Sequence, residues 1–128
     1  MLEVISTVHL LTFFQLMLIG TATMVRGIID WRNGTYSEGF RSMLFLTVGA
    51  GIAQALLGII LFLGGCRPNN LLHLVYGLIV VAAIPVAFTY ANEKIGKRDL
   101  AILTFAAFAI VAAAVRALIT GTGGICPR

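Results

Sequence analysis

Apolar residues fall in four long runs along this chain, at about 4–25, 43–64, 70–91 and 100–120, with short polar stretches between them. A run of ~20 residues rising 1.5 Å per residue crosses about 30 Å of hydrocarbon as an α-helix. The first connection, Arg26 to Ser42, is polar and rich in turn formers, with Trp31 and Tyr36 suited to a membrane interface. Within it Asp30-Trp31-Arg32-Asn33-Gly34 reads as a turn. The second connection, Gly64 to Asn70, is a tight hairpin, and the third, Asn92 to Asp99, carries Lys94, Lys97 and Arg98. A glycine-rich tail from Gly121 ends in Cys126-Pro127-Arg128. The pattern predicts an all-α fold, an integral membrane four-helix bundle running up-down-up-down as one transmembrane domain over residues 1–128.

Composition agrees. Of the 128 residues 59% are hydrophobic and 11% charged, and the mean hydropathy is +1.00. A soluble domain of this size needs more charge to cover its surface. Four spans use nearly all of the 128 residues, so no soluble catalytic domain is expected within them. The net charge of +4 does not point to nucleic acid, because the basic residues sit at helix ends and form no extended face for a phosphate backbone.

Those basic residues set the orientation. Arg26, Arg32, Arg41, Lys94, Lys97 and Arg98 lie in the first and third connections, against Arg67 and Arg128 on the opposite side. The excess places the first and third connections in the cytoplasm and both termini outside. Glu3 stands where a cleavable signal peptide would be basic, so the first helix is expected to stay and to insert with its N-terminus out.

Chemistry concentrates near the outer ends of the first and third helices. His9 and His73 lie at similar depth there, on helices that are usually diagonal partners in an antiparallel bundle. Ionisable side chains inside a bilayer usually face the bundle interior. Two neutral imidazoles at equal height on diagonal helices are what a bis-His haem b requires. His9, Thr12, Leu16, Gly20 and Thr23 share one face of the first helix; His73 stacks with Tyr76 and Gly77, where the glycine leaves room beside a flat macrocycle. The second helix carries a small-residue stripe through Thr47, Gly51, Gln54, Gly58 and Gly65. Ala109, Ala112, Ala113, Arg116 and Thr120 form the expected interior face of the fourth, with Arg116 placed to pair with a carboxylate such as a haem propionate.

Each feature has a plainer reading. Small-residue stripes are how membrane helices ordinarily pack, a boundary histidine can bond a carbonyl or a headgroup, and Arg116 can snorkel outward. Gln54, near the midplane, reads first as an interhelical hydrogen bond and second as a contact to a quinone or other cofactor. Tyr76 suits an interface as well as it suits proton donation, and Pro85 suggests a local kink. Cys66 and Cys126 both fall outside, in an oxidising compartment, each a few residues beyond a helix end, so a structural disulfide between them is expected. They lack the Cys-x-x-Cys spacing of a redox pair. No metal-binding Cys/His spacing, phosphate loop or Ser-His-Asp set occurs, and no enzymatic activity is indicated.

His9, the stretch Gln54-Ala55-Leu56-Leu57-Gly58, the stretch Leu72-His73-Leu74-Val75-Tyr76-Gly77, and Arg116 together make a pattern over nearly the whole chain. It resembles small bacterial four-helix membrane proteins, some of them labelled cytochrome b-like. The resemblance implies His9 and His73 as axial ligands, in a multi-pass protein of the bacterial inner (cytoplasmic) membrane. The second histidine pair of two-haem membrane cytochromes is missing, so a single haem near the outer face would not by itself carry electrons across the bilayer. Small multidrug transporters need an intramembrane acid, and quinone-linked thiol oxidoreductases need Cys-x-x-Cys; neither is present here. The expectation is a small subunit of a respiratory or photosynthetic membrane complex, with lipid and other membrane subunits as partners and one haem b at the histidine pair. The alternative is a structural or assembly protein with no cofactor.

Overall fold

The four apolar runs form four helices, α1 (Leu2–Asn33), α2 (Glu38–Leu63), α3 (Leu72–Tyr90) and α4 (Lys97–Gly121). All four are long and apolar enough to cross a membrane. The computed structural model describes residues 1–127; Arg128, counted above among the basic residues, lies outside them. Large apolar side chains stand exposed all around the bundle, among them Leu18, Leu63, Leu78 and Phe105, each at least two-thirds open. Water would not tolerate a continuous apolar surface of that extent, whereas lipid requires it.

α1 packs between α2 and α4, while α3 packs on α4 and more lightly on α2. This puts α1 and α3 at opposite corners. Contacting residues run in reversed order between α1 and α2 and between α2 and α3. Gly58 meets His9 where Gly27 meets Phe40 between α1 and α2, and Gly51 meets Val80 where Phe45 stacks on Phe88 between α2 and α3. The core consists of one stripe from each helix: Phe13 and Leu16, Phe40 and Leu44, Val80 and Ile84, then Leu100, Leu103 and Ile110. Close approach depends on missing side chains. A Cβ on Gly51 would stand 3.0 Å from the Val80 carbonyl oxygen, and one on Gly27 would overlap the Thr104 hydroxyl. Between these glycines Thr23 and Thr47, both fully buried, join α1 to α2 with their hydroxyl oxygens 2.8 Å apart, an interhelical bond with no competing water.

The first connection is shorter than its polarity suggests. α1 continues through Asp30, Trp31, Arg32 and Asn33, so the residues read as a turn are helical and only Gly34 leaves the helix, at φ 67°. Asp30 is the cause. It is buried (2% exposed) and accepts from the Ser37 backbone N–H at 2.8 Å and the Ser37 hydroxyl at 2.6 Å. Arg26, one turn earlier, meets its other oxygen at 3.2 Å. Ser37 in turn caps α2 by accepting from the Phe40 N–H at 3.1 Å. One carboxylate therefore ends one helix and starts the next. Above this clasp, burial holds the Tyr36 hydroxyl above the usual tyrosine range; Arg41 opposes the shift and the Asp30 carboxylate adds to it. Asp30→Ala is expected to lower stability by about 2–3 kcal/mol, since it strands two donors. Arg26→Ala removes a partner that is 43% exposed and should change stability by less than about 1 kcal/mol. Thermal unfolding of the two variants in detergent compares them directly.

The third connection also yields residues to a helix. α4 begins at Lys97, so Asp99, expected to lie in the loop, sits in its first turn, buried and accepting from the Gly96 N–H at 3.0 Å. A carboxylate among free N–H groups at a helix start is favourable, and this one closes the turn. α3 runs on through Pro85 without interruption. At the opposite end of the bundle the Sγ atoms of Cys66 and Cys126 are at disulfide distance. Arg67 and Ile125 exchange backbone hydrogen bonds at 2.8 and 2.9 Å beside them. The tail after α4 is thereby laid across the α2–α3 hairpin.

Candidate functional site

Histidine enters the bundle at two places, in the second turn of α1 and at the start of α3. The diagonal arrangement brings both rings to the centre, with centroids 6.2 Å apart and planes inclined by 67°. The His73 Nδ1 lies 2.6 Å from the carbonyl oxygen of Ala117 on α4. A carbonyl only accepts, so Nδ1 carries the proton and donates, which leaves Nε2 with its lone pair free. That is how an imidazole ligand is usually held, its second nitrogen fixing tautomer and ring plane. His9 differs. Its Nδ1 is buried and has no hydrogen-bond partner among the described residues, an omission costing about 1–3 kcal/mol unless a group outside the chain supplies one.

Glycines shape the surroundings. A Cβ on Gly121 would stand 2.7 Å from both Cε1 and Nδ1 of His73, so the ring occupies the place of a side chain at the end of α4. A Cβ on Gly58 of α2 would stand 3.3 Å from Cε1 of His9. At Gly77, one turn below His73, a Cβ would meet nothing within 4 Å, so that flank of α3 is open.

The other expected site residues divide. Gln54 is close: its Oε1 accepts from the Thr12 hydroxyl, one turn from His9 on α1. Tyr76 is half-buried and touches the outer core. Arg116 is not where the sequence placed it. It is exposed, its guanidinium carbon 5.9 Å from the centre of the Tyr76 ring. The buried face of α4 is Leu103, Ala106, Ala107, Ile110, Ala113, Ala114 and Thr120, so the expected face is rotated, with Ala112 and Arg116 turned out. Leu103 and Ile110 settle the rotation, because the large apolar side chains take the core and leave the alanines wherever they fall.

Donor number narrows what the histidine pair can hold. Among the described residues no group of three or more His, Cys, Asp or Glu side chains is gathered that could hold a metal ion. Two imidazoles alone do not complete a four-coordinate site, whereas a haem iron takes four ligands from its own macrocycle and asks the protein for two. The 6.2 Å between ring centroids is compatible with both imidazoles holding one such group. The donor set and the open flank at Gly77 are compatible with a bis-His haem that His9 and His73 would hold.

A scan against protein-family models, a search of curated proteins and a search of solved structures each returned no match. Geometry thus carries the functional reading. Four elements were not foreseen from sequence: the Ala117 carbonyl and the contact of Gly121 with His73 in this region, and the buried carboxylates Asp30 and Asp99 at the far end of the bundle. Backbone carbonyls leave no mark in a sequence. The acids do, as Arg26 four residues before Asp30 and Gly96 three before Asp99.

Proposed function

We propose that this protein is a small multi-pass subunit of an energy-converting complex, respiratory or photosynthetic, in a bacterial cytoplasmic membrane, and that His9 and His73 hold one haem b near its outer face. The helices run up-down-up-down with both termini outside, a reading supported by the excess of Lys and Arg in the first and third connections. The observation that carries the haem reading is the meeting of the two imidazoles across the diagonal, 6.2 Å between centroids. The His73 bond to Ala117, which leaves that ring's Nε2 lone pair free, supports it. A haem held there supplies one-electron exchange with a donor or acceptor at the outer surface. The chain's own contribution is to fix one imidazole by a backbone carbonyl and to bring the second to within 6.2 Å of it, ring centre to ring centre.

The test is an optical spectrum of the detergent-purified protein, produced with haem supplied, before and after dithionite. A sharp reduced α-band of b type with close to one haem per chain is expected. A flat visible spectrum from folded protein would sink the reading and leave a structural or assembly subunit, in which the Ala117 bond merely satisfies a packed histidine.

A further inference from the structure

The lipid-facing side of α1 is as regular as its buried side. The core stripe is Phe13, Leu16, Gly20, Thr23, Gly27 and Asp30. On the opposite face Val4, Val8, Leu11, Gln15, Leu18, Ala22, Val25 and Ile29 follow one another at alternating steps of four and three. All are exposed except the half-exposed Ala22. Steps of four and three give the 3.5-residue period by which one helix lies along another, and a core stripe of α1 with that spacing already packs on α2 and α4. One member breaks the apolar run. Gln15 lies at the middle of the span, exposed, on the wall of a groove of about 660 Å³ whose other residues include Ile19, Phe45, Gly49 and Ala50.

A primary amide facing hydrocarbon is costly. Without a partner it forfeits about 4–8 kcal/mol against water, and in a bilayer such groups normally turn inward. Gln15 makes no hydrogen bond within the chain among the described residues, whereas Gln54 at similar depth is bonded to Thr12. The surroundings admit a neighbour, since a Cβ on Gly49 would meet nothing within 4 Å. The chemistry also names it. An amide is both donor and acceptor, so two related by a twofold axis along the membrane normal satisfy each other reciprocally. A single polar residue at one seam position among apolar ones is the usual device for fixing register and number of strands.

We infer that this face of α1 is a self-association surface, and that two copies of the chain pair along the Val4-to-Ile29 stripe with Gln15 against Gln15. The inference is independent of the haem. Any copy of the chain with an intact α1 pairs, loaded or not.

Single cysteines introduced at Val8, Leu11 and Leu18 test it, with Leu10 and Leu78 as exposed controls off the stripe. Cys66 and Cys126 are paired with each other and no free cysteine occurs among the described residues, so each variant has one reactive thiol there. Reconstituted in phosphatidylethanolamine–phosphatidylglycerol vesicles at low protein-to-lipid ratio and mildly oxidised, the three stripe variants should form dimers and the controls should not. In the otherwise unaltered protein, with donor and acceptor dyes on the N-terminus, Gln15→Leu should weaken association about tenfold, roughly the worth of an interhelical hydrogen bond. Gln15→Asn should retain most of it. Equal cross-linking on and off the stripe, a monomer at every ratio, or unchanged association in Gln15→Leu would overturn the inference. So would cross-linking of the stripe in cells to a different protein alone.

Discussion

Alanine at His73 is expected to abolish the reduced b-type band, and alanine at His9 to do the same, while both variants keep their helix content. Were a haem b held at this pair, either variant would remove one of the two residues that hold it. Losing an outer-sphere partner of a ligand already weakens a metal site about 10–100-fold; losing the ligand itself should exceed that. The two variants should still differ in stability. His9→Ala deletes a ring whose Nδ1 has no partner, so it should cost the empty bundle packing only. His73→Ala breaks the 2.6 Å bond to Ala117 and should lower the melting point of the empty protein. Haem content by pyridine haemochrome, with melting followed by circular dichroism, separates the two effects. Retention of the band in either variant would exclude that residue as a ligand.

The second large effect concerns the cross-link between Cys66 and Cys126. Replacing Cys66 and Cys126 by serine is expected to lower stability by about 2–4 kcal/mol. The bond closes a loop of 60 residues of sequence separation, which would place a soluble chain at about the top of that range. In detergent the unfolded state keeps much of its helix and has less freedom to lose, so the lower half applies. At this size a loss of 2 kcal/mol moves the melting point by roughly 5–10 °C. The measurement is thermal unfolding of the variant beside the native protein with and without reductant. The native protein should fall to the variant's value when reduced, and the variant should not respond.

Helix centres were legible because hydropathy is strongest there; helix ends were not. Arg26 to Ser42 looked like a long polar loop, and polarity alone gives no sign that Asp30 would carry the helix to Asn33 by bonding Ser37. In the same way Asp99 looked like loop, although a carboxylate three residues past a glycine is a helix start. The juxtaposition of the two histidines was legible by counting rise from the helix ends, with the diagonal following from short connections. The buried face of α4 was not. Nearly every third residue there is alanine, which fits lipid and core equally and gives the eye no phase; Leu103 and Ile110 were the better guides. The outward stripe of α1 was present in the sequence as well. Its period becomes visible only when the opposite stripe is known to be buried.

The helices are of unequal length, and the membrane around them is not indifferent to that. α3, with 19 residues, measures about 28 Å and only just reaches from one hydrocarbon boundary to the other, whereas α1, with 32 residues, measures about 48 Å. The disulfide-linked hairpin fixes the level at one end, so the surplus of α1 emerges at the other, with Trp31 under the Lys97 ammonium at 5.1 Å. The short helix therefore sets the bilayer thickness that fits. A thicker, sterol-like bilayer would have to thin around α3 or draw the basic collar into hydrocarbon, so the chain should partition toward thin membranes and thin patches within one membrane.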